Sequence, residues 1–329
     1  MQYTFLICSE RSGSNLITKI MDAHPDYCGP PPSHIIRALA LNILRYPDVS
    51  DEQQWQALTD DAGDLLTYHV GAWKTQWDGS RLREEVKERS QAALIQHVYR
   101  AETLVNGKKN VFIKENHAHR FVPFLLQYFP DSKFIWMTRD PRDMALSWKK
   151  NNVIQSGVKN AAHTWQDDQK QSLLIYGYLK HSKKILRLSY ENLLISPEQS
   201  CRRICEHLHI PFAPSMLNFY EKQETKQAAG ETEAWNNLEK PLLTDNFAKY
   251  RGKLSEQEIR YVEAVCAEEM QALNYPLDYP LGDIASLEAC LSDDTAPAER
   301  NIVPEPERTL RENRHKTIAR ILARPLEIK

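Results

Sequence analysis

Anion binding is the chemistry that the residue types and their spacing suggest first. The segment Ser9-Glu10-Arg11-Ser12-Gly13-Ser14-Asn15 follows a short apolar run and precedes a helical one. A loop in that place directs backbone N–H groups and the positive end of a helix at one spot, which suits a phosphate-type anion. Gly13 permits close approach, the hydroxyls of Ser12 and Ser14 add donors, and Arg11 adds a fork of charge. The plainer alternative is a tight turn with an incidental arginine. The GxxxxGK[ST] pattern of nucleotide triphosphatases is absent. A second segment, Phe134-Ile135-Trp136-Met137-Thr138-Arg139-Asp140-Pro141, puts Arg139 at a strand end, and Ser147 follows eight positions later, inside the next helix. An arginine at the C-terminal end of a parallel strand faces the usual ligand crevice of an open α/β sheet. Its plain alternative is a local Arg139–Asp140 pair.

Two histidines are candidates for proton transfer: His34 in Gly29-Pro30-Pro31-Pro32-Ser33-His34, and His117 in Ile113-Lys114-Glu115-Asn116-His117. An unperturbed imidazole titrates near ~6.5, which suits a base at neutral pH. For either residue the alternative is a histidine that caps or packs a loop. Glu115 is placed to orient a histidine or a lysine, while His24, His119 and His163 read as structural. There is no HExxH motif and no Cys/His ligand spacing, so no metal is expected.

The elements that must position these groups alternate. Short apolar runs at 3–8, 111–114, 133–138 and 184–188 read as strands, and periodic segments at 16–21, 81–105, 121–129, 141–150, 161–181 and 196–208 read as helices. Pro141 suits the first position of its helix, and Ser255 with Glu258 forms a capping box for another running to about residue 273. This order implies a mostly parallel sheet covered on both faces. Residues 30–79 are rich in polar residues, with Trp55, Trp73 and Trp77, and residues 221–243 lack periodicity and read as a flap. Trp73, Trp77 and Trp235 are available to cover an acceptor or to pack the core. Residues 293–306 resemble a linker, and 309–322 a basic helix with Leu310, Ile318, Ile321 and Leu322 as its apolar stripe.

Composition narrows the field. With 42 basic and 44 acidic residues in 329, the chain has no charge surplus for general nucleic-acid or membrane binding. Six cysteines without CxxC spacing read as reduced thiols, with Cys8 a core residue. The first apolar run is too short for a signal-peptide core, and no stretch approaches a membrane span. A cytoplasmic protein is expected.

Taken together, these segments resemble the sulfotransferases that use 3′-phosphoadenosine 5′-phosphosulfate (PAPS). That family carries a Lys/Arg-Ser-Gly-Ser/Thr loop after its first strand, similar to Arg11 through Asn15. It also carries a strand-end arginine with a serine eight positions on, as Arg139 and Ser147 stand here. Leu188-Ser189-Tyr190-Glu191-Asn192-Leu193 is similar to its RYEDL segment, and Lys249-Tyr250-Arg251-Gly252-Lys253-Leu254-Ser255 to its late W/Y-R-G-x-L-S element. The resemblance covers about residues 3–280. It implies a P-loop-like α/β sulfotransferase fold, a central mostly parallel sheet flanked by helices, in a domain over 1–281. A mainly helical acceptor-site insertion at 30–105 and a linker and helical tail at 282–329 complete the expected organisation.

The resemblance also implies roles. Arg11, Ser12, Gly13, Ser14 and Asn15 would hold the 5′-phosphosulfate, Arg139 and Ser147 the 3′-phosphate, and Tyr190 would lie near the adenine, with Lys249 and Arg251 completing the donor site. PAPS would be the donor and 3′,5′-adenosine bisphosphate (PAP) the product. Arg11 and Lys114 would stabilise the leaving group, and His34, or else His117, would be the base. The family's animal cytosolic branch has its histidine two residues after the lysine, where Asn116 stands here, whereas bacterial members acting on metabolites or polyketides carry a P-P-x-x-H segment that matches Pro30 to His34. Glu10 departs from the pattern and must turn away or pair with a cation such as Arg11 or Lys114. The expected acceptor is a hydroxyl of a small molecule, lipid or glycan, and the tail offers a surface for a homodimer. A P-loop-type small-molecule kinase and an inactive nucleotide-binding partner protein are the competing readings; the missing Walker lysine weighs against the first.

Overall fold

Tyr3–Cys8 form β1, the middle strand of a five-stranded sheet in the computed structural model, which describes residues 1–150, 157–223, 225, 238–291, 305 and 307–328. The other strands are β2 (Tyr27–Cys28), β3 (Asn110–Lys114), β4 (Lys133–Thr138) and β5 (Ile185–Ser189), in the order β2-β3-β1-β4-β5. Every pairing is parallel, with Cys8 opposite Met137 and Leu6 opposite Lys114. Side chains alternate between faces along each strand, and the core divides accordingly. Phe5, Ile7, Val111, Ile113, Phe134 and Trp136 belong to one buried cluster, and Leu6, Cys8, Phe112, Ile135 and Met137 to another. A strand buried on both sides must be apolar at every position, which is why these runs are continuous rather than alternating.

Helices cover both faces. On the second face lie α1 (Ser14–Asp22) and, numbering on in chain order, α10 (Pro197–Leu208), which contribute Ile17, Ile20, Met21, Cys201 and Ile204. The first face is larger and takes α2 (Ile35–Ala40), α3 (Glu52–Thr67), α4 (Gly79–Glu85), α5 (Gln91–Val105), α6 (Val122–Tyr128), α7 (Pro141–Lys149), α8 (Val158–Leu179) and α11 (Glu256–Ala272). Tyr190–Ile195 is α9, Ile284–Ala289 is α12 and Glu307–Ala323 is α13. The expected capping box is present: Ser255 Oγ accepts from the Glu258 amide at 3.2 Å, and Glu258 returns to the Ser255 amide at 2.8 Å. All six cysteines are free, and only Cys290 is exposed. Among the described residues no helix is long and apolar enough to cross a membrane.

Several expectations need correction. The periodic stretch 81–105 is two helices, because Val86 turns extended and Ser90 caps α5 by accepting from the Ala93 amide at 3.0 Å. The polar stretch after residue 30 holds the 16-residue α3, capped by Asp51 and burying Trp55, Leu58, Ala62 and Leu65. Trp73 and Trp77 are core residues, with Trp73 Nε1 donating to the Pro31 carbonyl at 2.8 Å. Trp235 lies outside the described residues, as do most of the flap and all of the predicted linker at 293–306 except residue 305.

α13 docks on α3. Asp61, fully buried, receives Arg320 at 2.5 Å and Arg324 at 2.9 Å, and also accepts from Tyr46 Oη at 2.7 Å. Ile321 packs with Ala38 and Leu65, whereas Leu322, expected on the apolar stripe, is half exposed. Arg320 and Arg324 are therefore anchors and not a solvated face. Substitution Asp61→Ala removes a partner shared by both arginines and leaves Arg320 with Asp64 alone, 2.6 Å away. It should cost about 2 kcal/mol in urea unfolding, below the ~3–5 kcal/mol of a fully buried pair because the arginines are partly solvated. It should also accelerate proteolysis around residue 305. Unchanged stability and proteolysis would mean that the pairing does not hold the helix.

Candidate active site

The sheet places the chemistry. β1 is flanked by β3 and β4, and the chain leaves it toward β3 through α1 but crosses to β4 only after β3. The carboxyl ends of these three strands therefore surround one crevice, the position where open parallel sheets bind ligands. Residues 9–13 leave β1, residues 114–117 leave β3 and residues 139–140 leave β4, so all three candidate segments meet there.

The first loop turns at two left-handed residues, Arg11 (φ 65°) and Gly13 (φ 84°). Gly13 caps α1 directly and lies under the Tyr190 ring; a Cβ there would approach Tyr190 Cδ2 to 2.4 Å. Arg11 Nε donates to Ser147 Oγ at 3.0 Å, and Arg139 Nη1 donates to the Arg11 carbonyl at 2.6 Å. Two motifs more than 120 residues apart in sequence thus share one residue. The Arg139 guanidinium also lies 4.5 Å over the ring of Tyr190, whose Oη accepts from Asn246 Nδ2 at 2.8 Å. Two donors here have no acceptor among the described residues: the buried Ser12 Oγ and Arg139 Nε. Orphaned buried donors of this kind fit an anionic ligand in the crevice.

Asp140 is not the partner of Arg139. It caps α7 through the Arg142 amide at 2.9 Å and pairs with the Arg142 guanidinium at 2.7 Å. Arg142 is buried, reaches Glu263 of α11 at 2.6 Å and lies over the Tyr250 ring, and these carboxylates hold it firmly protonated against the cost of burial. Tyr250 is tied to α7 as well, its amide donating to Asp143 Oδ1 at 2.9 Å. Arg251, expected with the donor residues, pairs with Asp278 at 3.0 Å and donates to Tyr250 Oη at 3.2 Å, and Lys249 is half-exposed beside it.

Lys114 Nζ donates to Asn15 Oδ1 at 3.0 Å, which joins the end of β3 to the start of α1. Burial pushes the Lys114 ammonium below its ordinary range, opposed by Cys8 and Glu10. Glu10 accepts from Asn116 Nδ2 at 2.7 Å, a neutral donor in place of the cation expected to hold it. His34 is a left-handed residue (φ 57°) at the start of α2, and its Nδ1 lies 3.6 Å from Glu115 Oε2. Glu115 is buried and accepts from Tyr99 Oη at 3.2 Å and from the Arg37 amide at 3.4 Å. Burial lowers the His34 pKa, and the Glu115 carboxylate opposes that shift. His117 sits apart from this pair, 4.0 Å from Glu10 and 3.8 Å from Asp168. His24 and His163 take packing roles, bonded to the Pro211 carbonyl at 2.9 Å and to Tyr261 Oη at 3.1 Å.

One site residue has no signal in the local sequence. Arg314 of α13 donates through Nη1 to the Leu65 carbonyl at 3.0 Å, and its Nη2 is buried without a partner. Burial pushes its pKa down to about 10, with Glu115 as the opposing carboxylate and Arg37 as a neighbouring cation. The second half of the crevice therefore holds His34, Arg37 and Arg314 around a single buried carboxylate.

With this geometry in place, comparison with known proteins is informative. A sequence profile described as Sulfotransferase family matches residues 4–214. Protein-tyrosine sulfotransferase A of Caenorhabditis elegans is 26% identical over 286 residues, covering 80% of this chain and 65% of that protein. Protein-tyrosine sulfotransferase 1 of Danio rerio is 25% identical over 275 residues, covering 80% and 70%. The chain thus spans about two thirds of the length of these curated relatives. Among solved structures, the sulfotransferase domain of the curacin biosynthetic pathway superposes with TM-score 0.56 at 17% identity, covering 84% of this chain and 98% of that one. The sulfotransferase domain of the Synechococcus PCC 7002 olefin synthase gives 0.56 at 16% identity, covering 85% and 96%. The chain belongs to the sulfotransferase family, and its parallel α/β fold is that of the solved domains.

The loop geometry yields a stability prediction. Gly13→Ala combines left-handed strain with a clash against the Tyr190 ring, and should cost about 3 kcal/mol in urea unfolding. Gly252 also has positive φ (71°) but open space around its Cβ position, so Gly252→Ala should cost only about 1 kcal/mol. Equal losses in the two variants would mean that Tyr190 does not pack on the loop.

Proposed function

We propose that this sulfotransferase-family chain transfers a sulfuryl group from PAPS to a hydroxyl acceptor, with His34 as the base. The observation that carries the proposal is the joint at Arg11, which stands at the head of the Ser12–Asn15 loop and is itself bonded to both Arg139 and Ser147. One phosphate-type site says only that an anion binds. Two linked sites, each with an orphaned donor, favour a nucleotide phosphorylated at two separate positions, which describes PAPS and PAP better than ATP.

In this reading Arg11, Ser12, Ser14 and the amides at the start of α1 hold the 5′-phosphosulfate. Arg139 and Ser147 hold the 3′-phosphate and Tyr190 flanks the base, with Lys249 and Arg251 at the rim. The donor supplies an activated sulfuryl group on a phosphate leaving group. Arg11 and Lys114 are positioned to offset the charge that builds on that leaving oxygen. His34 takes the acceptor's hydroxyl proton, and Glu115 stabilises the imidazolium that results, in the manner of an oriented histidine–carboxylate pair. His117, held near Asp168 and Glu10, is not assigned the proton transfer.

The relatives' names favour a phenolic hydroxyl among the acceptors. Arg37 and Arg314 around His34 favour an acceptor that carries negative charge.

Thermal shift tests the donor. PAP at 100 times its Kd should stabilise the protein by about 2.7 kcal/mol, and ATP with magnesium should do much less. Stabilisation by ATP–magnesium alone would sink the assignment in favour of a kinase. Kinetics test the base: His34→Ala should lower kcat at least ~100-fold while PAP binding survives. His34 must be neutral to act, and burial lowers its pKa, so activity should persist below pH ~6.5 before an acid limb appears. Glu115→Gln removes the charge that raises the His34 pKa, so that limb should move further toward acid as kcat falls. A limb that stays put, or moves the other way, removes His34 from the role.

A further inference from the structure

Behind the phosphate-binding loop, three side chains converge that the proposed reaction does not use. His117 and His119 follow β3, and Asp168 comes from the middle of α8. His119 Nε2 lies 3.3 Å and His117 Nδ1 3.8 Å from the same oxygen, Asp168 Oδ1, and one ligand atom from each residue lies within 4.8 Å of the others. The His119 side chain is fully buried and that of Asp168 2% exposed. The cluster is short of hydrogen bonds, because among the described residues neither ring nitrogen of His119 makes one and Asp168 Oδ2 has no partner. Leaving several buried polar atoms unsatisfied costs about 1–3 kcal/mol each, and such sets call for an explanation.

The spacing supplies one. Two ligand atoms bound to one ion at about 2.0–2.1 Å with tetrahedral angles stand about 3.4 Å apart. The His119–Asp168 separation already has that value, and the His117–Asp168 separation is a few tenths of an ångström longer. His117 would bind through Nδ1, which leaves Nε2 on the side of Glu10 Oε1, 4.0 Å away. A carboxylate behind the outer nitrogen of a ligating imidazole is the arrangement that fixes its tautomer and raises its basicity. Glu10 is itself held by the Asn116 amide. The charges agree as well: Asp168 and Glu10 together balance a divalent ion, with both imidazoles neutral.

We propose that His117, His119 and Asp168 form a binding site for a divalent transition metal, zinc by ligand type, with Glu10 as the outer partner of His117. The ion would pin the loop after β3 to α8 and fix Glu10 away from the neighbouring anion site. Its role is structural, and the site stands or falls independently of the sulfuryl-transfer reading.

The test uses chelator-stripped full-length protein. Zinc titrated in competition with a chromophoric chelator should bind at one equivalent, and cobalt(II) should give the visible ligand-field bands of a four-coordinate nitrogen–oxygen site. His119→Ala and Asp168→Asn should each weaken zinc binding at least 100-fold, and Glu10→Gln by about 10–100-fold through the outer partner. His117→Ala, at the least buried of the three positions, keeps the test decisive if the buried-site variants do not fold. Substoichiometric zinc in the wild type, or affinity unchanged in His117→Ala, overturns the proposal. PAP binding measured on the same samples reports the donor reading separately.

Discussion

The bond from Arg139 to the carbonyl of Arg11 is the constraint around which the crevice is organised. It exists because β1 and β4 are adjacent and parallel, so that the loops leaving Cys8 and Thr138 emerge side by side. The bond consumes one guanidinium N–H and orients the rest of Arg139 along the Tyr190 ring. The same carbonyl belongs to a residue in left-handed conformation, a shape that the loop adopts only because Gly13 follows and the chain must turn sharply into α1. The loop after β1 and the end of β4 are thereby fixed relative to each other by an arginine side chain held on a backbone carbonyl. That rigidity is what an anion site needs, since donors already in place lose little freedom when the ligand arrives.

A second layer of support stands behind Arg139. Arg142, three residues on, is buried between Asp140 and Glu263, and Glu263 also accepts from the amides of Asp278 and Tyr279. The network ties α7 to α11 and to the chain beyond it. Removing Arg142 would leave the buried carboxylates of Asp140 and Glu263 without their cation, so the network favours one arrangement strongly.

How far the sequence foretold this depends on distance along the chain. Arg11, Gly13, Arg139 and Ser147 were legible because a strand end, a turn glycine and a helix start leave local signatures at fixed spacing. The four long strands were legible as continuous apolar runs, whereas β2, two residues held by pairing to β3, has no periodicity to detect. Trp73 and Trp77 were ambiguous because an aromatic residue serves core and ligand equally well, and only the Pro31 and Thr75 acceptors settle them. His117 and His119 stood two residues apart in plain view, yet Asp168 lies some fifty positions on, and no pattern linked it to them. Arg314 was beyond reach for the same reason: its partner, the Leu65 carbonyl, is 249 residues away.

The docking of α13 has a consequence for how specificity can be divided. Donor-side groups come from the sheet ends and their loops, whereas Arg314 reaches the His34 half of the crevice from a helix attached mainly through Asp61 and the Ile321 contacts. Under the proposed reading, a change in α13 alone would alter the charge and shape met by an acceptor while leaving the proposed nucleotide cradle untouched. On that reading acceptor choice would be exchangeable: one helix could be retuned or replaced as a cassette, with the sheet-end loops held constant beneath it.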